Sequence, residues 1–384
     1  MGLNKTIWKN PGDYIAAHPS GGPVLFFAPA ILQRTAARFR AGFPGLVSYA
    51  VKANPETAVL QNLSAAGIAA FDVASVEEIE LLRRVVPEAV LHFNNPVRGQ
   101  AEIAHAVALG VRSFSVDSQS ELAKLAACLP VGSEVSVRFK LPVPGAAYDF
   151  GSKFGATAEQ AAELLRAVAS AGLVPSMTFH PGTQCIQAAA WESYIREAAV
   201  ISKTADVRIA RLNVGGGFPA HRLTQAPPDL EGIFERIGQA ARTAFGPNRP
   251  DLLCEPGRGM VAESQSLAAR VRAVRDASDV FLDDGVYGGL MEFPQIGTTD
   301  RYELYDSHGN KRRAPMRART VFGPTCDSLD RLPGQLNLPE TVSEGDVLLF
   351  HGMGAYSTAT VTRFNGFGHL ELATVQSLGN DVSR

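Results

Sequence analysis

From residue 24 to residue 257 one pattern repeats: a short apolar, β-type run, then a stretch rich in Ala, Leu, Arg and Glu with helical period. After the opening run, eight follow, at 46–51, 69–73, 90–93, 113–116, 135–139, 175–179, 208–214 and 252–255. The stretches between them read as helices, for example 76–86 (VEEIELLRRVV) and 158–171 (AEQAAELLRAVASA). Runs that are apolar on both faces suit a parallel sheet covered by helices. Eight β–α units in roughly 230 residues match the size of an α/β fold, the eight-stranded parallel (β/α)8 barrel, with a doubly wound open sheet as the rival. Lys52, Asp72, Asn94, His180, Gly215 and Glu255 stand at or just past the C-terminal ends of runs. That rim is where barrel active sites assemble, so their placement favours the barrel.

A chain of 384 residues is too long for one ordinary core. Beyond residue 260 the helical period weakens, and β-branched and aromatic runs appear at 270–274, 280–283, 347–350 and 369–375, punctuated by Gly and Pro. The expectation is a barrel over 29–260 and a smaller β-rich domain over 261–384, completed by a strand from residues 1–28. A net charge of −2 gives no bulk attraction to nucleic acid or an anionic membrane. The apolar runs are too short to span a bilayer, and no apolar leader follows the N-terminus. Cys128, Cys185, Cys254 and Cys326 form neither a CxxC pair nor a zinc-spaced cluster, which points to reduced thiols in a cytoplasmic protein and to no metal site.

Six segments could carry chemistry. Lys52 follows the run 46–51, where a desolvated amine acquires a lowered pKa and becomes fit for Schiff-base formation; a rim lysine whose head reaches water is an equally good reading. Gly215-Gly216-Gly217 directly follow a run and could surround an anion with backbone N–H groups, or simply make a turn. In Glu255-Pro256-Gly257-Arg258 the carboxylate could pair with a protonated pyridine nitrogen and the guanidinium with a phosphate; a turn-holding ion pair is the plainer reading. His180 with Thr183 offers a flat ring and a hydroxyl, although a lone strand-end histidine is more often structural. Cys326-Asp327, in GPTCDSLD, sets a thiol that could donate a proton beside a carboxylate that could bind a cation; a small buried cysteine is the commoner case. Tyr356 and the segment FNGF at 364–367 could line a site or be ordinary core.

Taken in order, YAVKAN, FDVAS, HPGTQ, GGGFP, EPGR, GPTCDSLD and FNGF resemble the fold-type III, alanine-racemase-like decarboxylases that use pyridoxal 5'-phosphate (PLP). Within them the ornithine/lysine/diaminopimelate group, and ornithine decarboxylase in particular, is the best match. The resemblance covers residues 24–370, and the ordered set is specific where no single motif is. It implies that Lys52 carries PLP, that Asp72, Glu78 and Arg138 support lysine and ring, and that His180 stacks on the ring. Thr183, Gly215, Gly216, Gly217, Gly257, Arg258 and Tyr356 would hold the phosphate, and Glu255 would meet the ring nitrogen. It further implies a homodimer with shared active sites, in which Cys326 reprotonates the substrate carbon and Asp327 and Asp306 (in LYDSH) hold its distal ammonium. Two carboxylates around one cation favour a diamino acid, L-ornithine first, with lysine or another basic D- or carboxy-polyamine amino acid as the alternative. The segment HPGTQC departs from the family in its proline and in Thr183, which stands where many relatives have serine and keeps the hydroxyl. A racemase would need an arginine where Glu255 stands. A regulatory homologue without activity would be expected to lose Lys52, Glu255 or Cys326.

Overall fold

The computed structural model describes residues 6–141 and 153–379. Two compact units result: one comprises Thr35–Pro219 and Pro228–Met260, the other Met1–Arg34, Ala220–Pro227 and Val261–Arg384.

Strand β1 (Val24–Phe27) comes first in the chain and belongs to the second of these units. The next eight are β2 (Leu46–Ala50), β3 (Ala70–Val73), β4 (Val90–Phe93), β5 (Ser113–Val116), β6 (Glu134–Arg138), β7 (Val174–Thr178), β8 (Arg211–Asn213) and β9 (Asp251–Cys254). All pair in parallel with their neighbours, and β9 returns to β2, closing an eight-stranded barrel. The open-sheet rival is therefore excluded. Each expected run forms one strand, with bounds shifted by at most a few residues. β8 is shortest, although Ala210 and Val214 on either side of it still bond the backbones of Pro175 and Leu253 at 2.8 Å.

Four of the barrel helices start where the sequence supplies a side-chain cap, at Ser75, Ser118, Thr157 and Asp229. The Ser75 side chain accepts from the Glu78 N–H at the start of Val76–Val85, and Thr157 with Gln160 forms a capping box on Ala158–Ser170. Such caps satisfy N–H groups that have no partner inside the helix, and they fix where each strand-to-helix loop ends. Those loops form the rim on which the site is built.

The other unit is a mixed sheet built on β10 (Gln265–Arg275). The remaining strands are β11 (Asp279–Leu282), β12 (Tyr302–Tyr305), β13 (Met316–Phe322), β14 (Leu336–Pro339), β15 (Val347–His351) and β16 (Glu371–Thr374). The order is β12-β15-β10-β11-β13-β14, with β1 antiparallel to β10 and parallel to β16. Leu25, Leu267, Val271, Leu282, Phe293, Leu348 and Phe350 form its main core. The segment Ala220–Pro227 is fastened into this unit: Thr224 bonds the Asp300 carboxylate through both N–H and Oγ1, and Thr299 Oγ1 donates to the Arg222 carbonyl at 2.6 Å. Nothing in the periodicity of that segment marks it as leaving the barrel. Among the described residues no helix is long and apolar enough to cross a membrane.

Candidate active site

Lys52 sits on a single 3₁₀ turn, Val51–Ala53, that leaves β2. Val51 and Ala53 are buried while the lysine itself is exposed. Desolvation, invoked from its position after an apolar run, is therefore not what distinguishes Lys52; its electrostatic neighbours are. Asp72, Glu78, Glu255 and His180 all feel its charge.

Asp72, in β3, is 4% exposed, and its Oδ1 has no hydrogen-bond partner among the described residues. Burial, then the charge of Glu255, pushes its carboxyl well above the usual range. Glu255, just after β9, is also raised by burial, but Asn213, Lys52, Asn94 and Arg138 pull it back. Of this coupled pair, Asp72 holds a proton more readily and Glu255 is the better carboxylate. Glu78 lies nearby on its helix, its Oε2 accepting from the Ala74 N–H at 2.7 Å. Arg138 ends β6 with its guanidinium 5.1 Å from the Phe154 ring.

His180 follows β7 by two residues. Its Nδ1 accepts from the Gly182 N–H at 3.0 Å, which leaves the ring proton on Nε2. Burial, Lys52 and Arg138 hold its pKa well below the ordinary imidazole value, so the ring is flat and uncharged.

The glycine run is required by crowding. A Cβ on Gly215 (φ +70°) would lie 2.2 Å from the Phe179 carbonyl oxygen, and one on Gly217 (φ +84°) would lie 2.4 Å from that of Gly182. Gly216 passes so close to Glu255 that a Cβ would sit 2.7 Å from its carbonyl. Thr183 follows Gly182 on the adjoining loop, and the Gly217 carbonyl accepts from Cys185 N–H at 2.9 Å. Gly257 packs where a Cβ would touch that of Ala53, one residue past Lys52, at 3.0 Å. Arg258, 8% exposed, opens a short helix directly after it. The fold thus brings Lys52, Asp72, Glu78, Arg138, His180, the glycine loop, Glu255, Gly257 and Arg258 onto one unit.

The other expected residues lie on the β unit. Cys326 is exposed, and its N–H donates to Asn365 Oδ1 at 3.1 Å. The Asp327 carboxylate accepts from Tyr287 Oη and from the Leu329 N–H. Asp330, only 1% exposed, fastens this loop: it accepts from Thr325 N–H at 3.0 Å, Thr325 Oγ1 at 2.8 Å and Val286 N–H at 2.9 Å. Tyr356 adopts φ +64°, a strained backbone for a side chain of that size. Asp306 is used differently: its Oδ1 accepts from the N–H groups of both His308 and Asn310 at 2.9 Å, inside its own turn. Arg312, six residues on, is paired with Asp346 at 2.7 Å.

The sequence shows Asn94 as a strand-end residue with no role attached and Asn213, Asn365 and Asp330 as members of their segments, and does not single out Tyr287. Their roles depend on partners 39 to 161 residues away for Asn94, Asn213, Asn365 and Tyr287. The local signals are Asn94 just past one strand end and Asn213 at the strand end before the glycines.

Comparison with known proteins decides the family. Residues 30–262 match the model described as the pyridoxal binding domain of the pyridoxal-dependent decarboxylases. The chain belongs to that family. It is 33% identical over 335 residues to the lysine/ornithine decarboxylase of Selenomonas ruminantium, covering 84% of this chain and 81% of that one. It is 31% identical over 369 residues to the ornithine decarboxylase of Cricetulus griseus, covering 88% and 77%. The lysine/ornithine decarboxylase of Vibrio vulnificus, solved with putrescine, superposes with a TM-score of 0.81 at 26% identity, covering 95% of this chain and 99% of that one. The chain is a PLP-dependent decarboxylase acting on a basic amino acid, with the fold-type III architecture.

This decarboxylase fits its cofactor on observations internal to the chain. The loop 215–217 packs against the backbone of Phe179, Glu255 and Gly182 too closely for any side chain, so it presents backbone alone. Asp72 keeps a buried oxygen without a partner among the described residues. His180 offers an uncharged, oriented ring.

Proposed function

We propose that this decarboxylase converts L-ornithine to putrescine and CO2, within a cytoplasmic homodimer that supplies a diamine for polyamine synthesis. The observation that carries the reading is the pinned loop 323–330, which presents an exposed thiol, Cys326, beside a carboxylate, Asp327. When bound, PLP supplies the electron sink that lets an α-carboxylate leave as CO2.

The rest is assigned to residues of the chain. Lys52 Nζ is the amine that anchors the cofactor. Glu255 presents a carboxylate to the ring nitrogen, and His180 lies against the ring without adding charge. Thr183, the loop Gly215-Gly216-Gly217 through the N–H groups of Gly216 and Gly217, Gly257, Arg258 and Tyr356 would hold the phosphate, while the Gly215 N–H is taken up by Asn213 Oδ1. Arg138 and Asp72 balance the buried charge around Lys52. Cys326 Sγ–H delivers a proton to the carbon that has lost CO2, acting in the neighbouring subunit's site. Asp327 takes the distal ammonium with Asp306 as the second carboxylate, each already accepting hydrogen bonds within the β unit.

Lysine is the second candidate, favoured by the dual name of the Selenomonas relative. The deciding experiment measures CO2 release from ornithine, lysine, arginine and diaminopimelate. The expected result is a kcat/KM at least about tenfold higher for ornithine, since one methylene in a fitted pocket is worth about that much. Equal or higher values for lysine or arginine would reassign the substrate. Cys326→Ala should slow turnover by about 100-fold or more with PLP still bound; unchanged turnover would remove the thiol from the mechanism.

A further inference from the structure

Asn94 and Asn213 both donate from Nδ2 to the same oxygen of Glu255, Oε1. Oε2 is left without a hydrogen bond among the described residues and keeps its lone pairs. Asn213 is also bound at its other end, where Oδ1 accepts from the Gly215 N–H at 2.9 Å. That bond fixes which end of the amide faces Glu255. Gly215 in turn accepts from the Glu255 N–H at 2.8 Å. Three residues on neighbouring strand ends therefore close a ring of contacts linking the glycine loop to the buried carboxylate.

Asn94 is anchored through its backbone, whose carbonyl accepts from Ser115 Oγ at 2.8 Å. Its Oδ1 is buried with no partner among the described residues. A buried carbonyl left without a donor is unfavourable, and it is kept here on an amide whose other end holds Glu255. Burial favours the protonated form of Glu255, and the two amides oppose it. Without them the balance shifts toward the protonated form, which offers a protonated ring nitrogen no charge.

We propose that Asn94 and Asn213 are positioning residues for the cofactor: both hold Glu255 as an oriented carboxylate toward the ring nitrogen, and Asn213 alone ties that carboxylate to the loop that receives the phosphate. This rests on the reading of Glu255 as the partner of the ring nitrogen. The two amides then differ in a measurable way. Asn94 acts on the ring end only, whereas Asn213 acts on both ends.

The test titrates the full-length chain, freed of cofactor, with PLP, with its 1-deaza analogue lacking the ring nitrogen, and with inorganic phosphate. Asn94→Ala should weaken PLP by about tenfold or more while leaving the analogue and phosphate unchanged, the scale expected when a partner of a ligating group is removed. Asn213→Ala should weaken all three. Asn94→Asp, which keeps the size and removes the donor, should repeat the Asn94→Ala pattern even if the smaller side chain proves poorly folded. Equal losses of PLP and analogue in the Asn94 variants, or no loss of either, overturn the inference. A wild-type chain that binds PLP no better than the analogue overturns the assignment of Glu255, and this inference with it. A wild-type preference that survives intact in both Asn94 variants overturns the inference alone.

Discussion

At the scale of single residues, charge explains more of this site than reactivity does. Lys52 and Arg138 face Asp72, Glu78 and Glu255, and His180 stays neutral among them. Lys52, Glu255 and His180 were legible in the sequence because each stands beside a motif at the end of an apolar run. The joint hold of the Asn94 and Asn213 amides on Glu255 was not, because an asparagine after a strand reads first as turn chemistry. A second buried histidine makes a testable case away from the site. His92 lies in the barrel with Nδ1 3.0 Å from Ser48 Oγ and Nε2 3.2 Å from Arg211. Burial, then Arg211, pushes its pKa down to about 3. Its folded pKa is depressed, so its contribution is complete above the unfolded value and is lost as pH falls toward 3. Between pH 6.5 and 5 the loss should be about 2 kcal/mol. His180 acts in the same direction, while Asp283 and Asp284, whose acid forms burial favours, act in the opposite one. Urea unfolding of wild type and His92→Gln at both pH values isolates the histidine. The wild type should lose about 2 kcal/mol more than the variant, and equal losses would show that His92 takes up a proton in the fold.

At the scale of elements, the barrel was readable because its strands are continuous apolar runs between helices of clear period. The β unit was less so. Strands β12, β13 and β14 went unrecognised, and β13 shows why. It reads Met-Arg-Ala-Arg-Thr-Val-Phe, yet Arg319 in its centre is 2% exposed, with Nη2 donating to the Glu340 carbonyl at 3.0 Å. A buried, paired arginine looks like surface in a sequence, so the alternation is hidden. Two loops carry predictions at this scale. Gly215→Ala should cost about 2 kcal/mol of stability and most of the PLP affinity, because its Cβ would lie 2.2 Å from the Phe179 carbonyl oxygen; thermal unfolding and cofactor titration check both. Asp330→Ala should release the loop that carries Cys326. Alkylation of that thiol should change in rate while PLP binding is retained, and an unchanged rate would mean that Thr325 and Val286 hold the loop without it.

At the scale of the whole molecule, the chain crosses between its units more often than its periodicity suggests. β1 joins β10 and β16, as expected of residues 1–28, whereas Ala220–Pro227 belongs with the β unit although it interrupts barrel sequence. Pairings so distant in sequence leave no periodic trace, whereas the motif order carried the family at full length. The proposed sharing of sites between subunits has a direct consequence. Alone, Lys52→Ala should be inactive and Cys326→Ala should keep about 1% of wild-type turnover or less. Mixed and allowed to exchange subunits, they should recover about one quarter of wild-type activity, since half the dimers are mixed and each has one intact site. No recovery would place both residues in the site of one subunit. The central claim, that Lys52 is the residue that carries PLP, has a simpler test. Borohydride reduction of the PLP-loaded protein, followed by peptide mass spectrometry, should find the pyridoxyl group on the peptide containing Lys52 and nowhere else. Its appearance on another lysine, or its absence, would contradict the account.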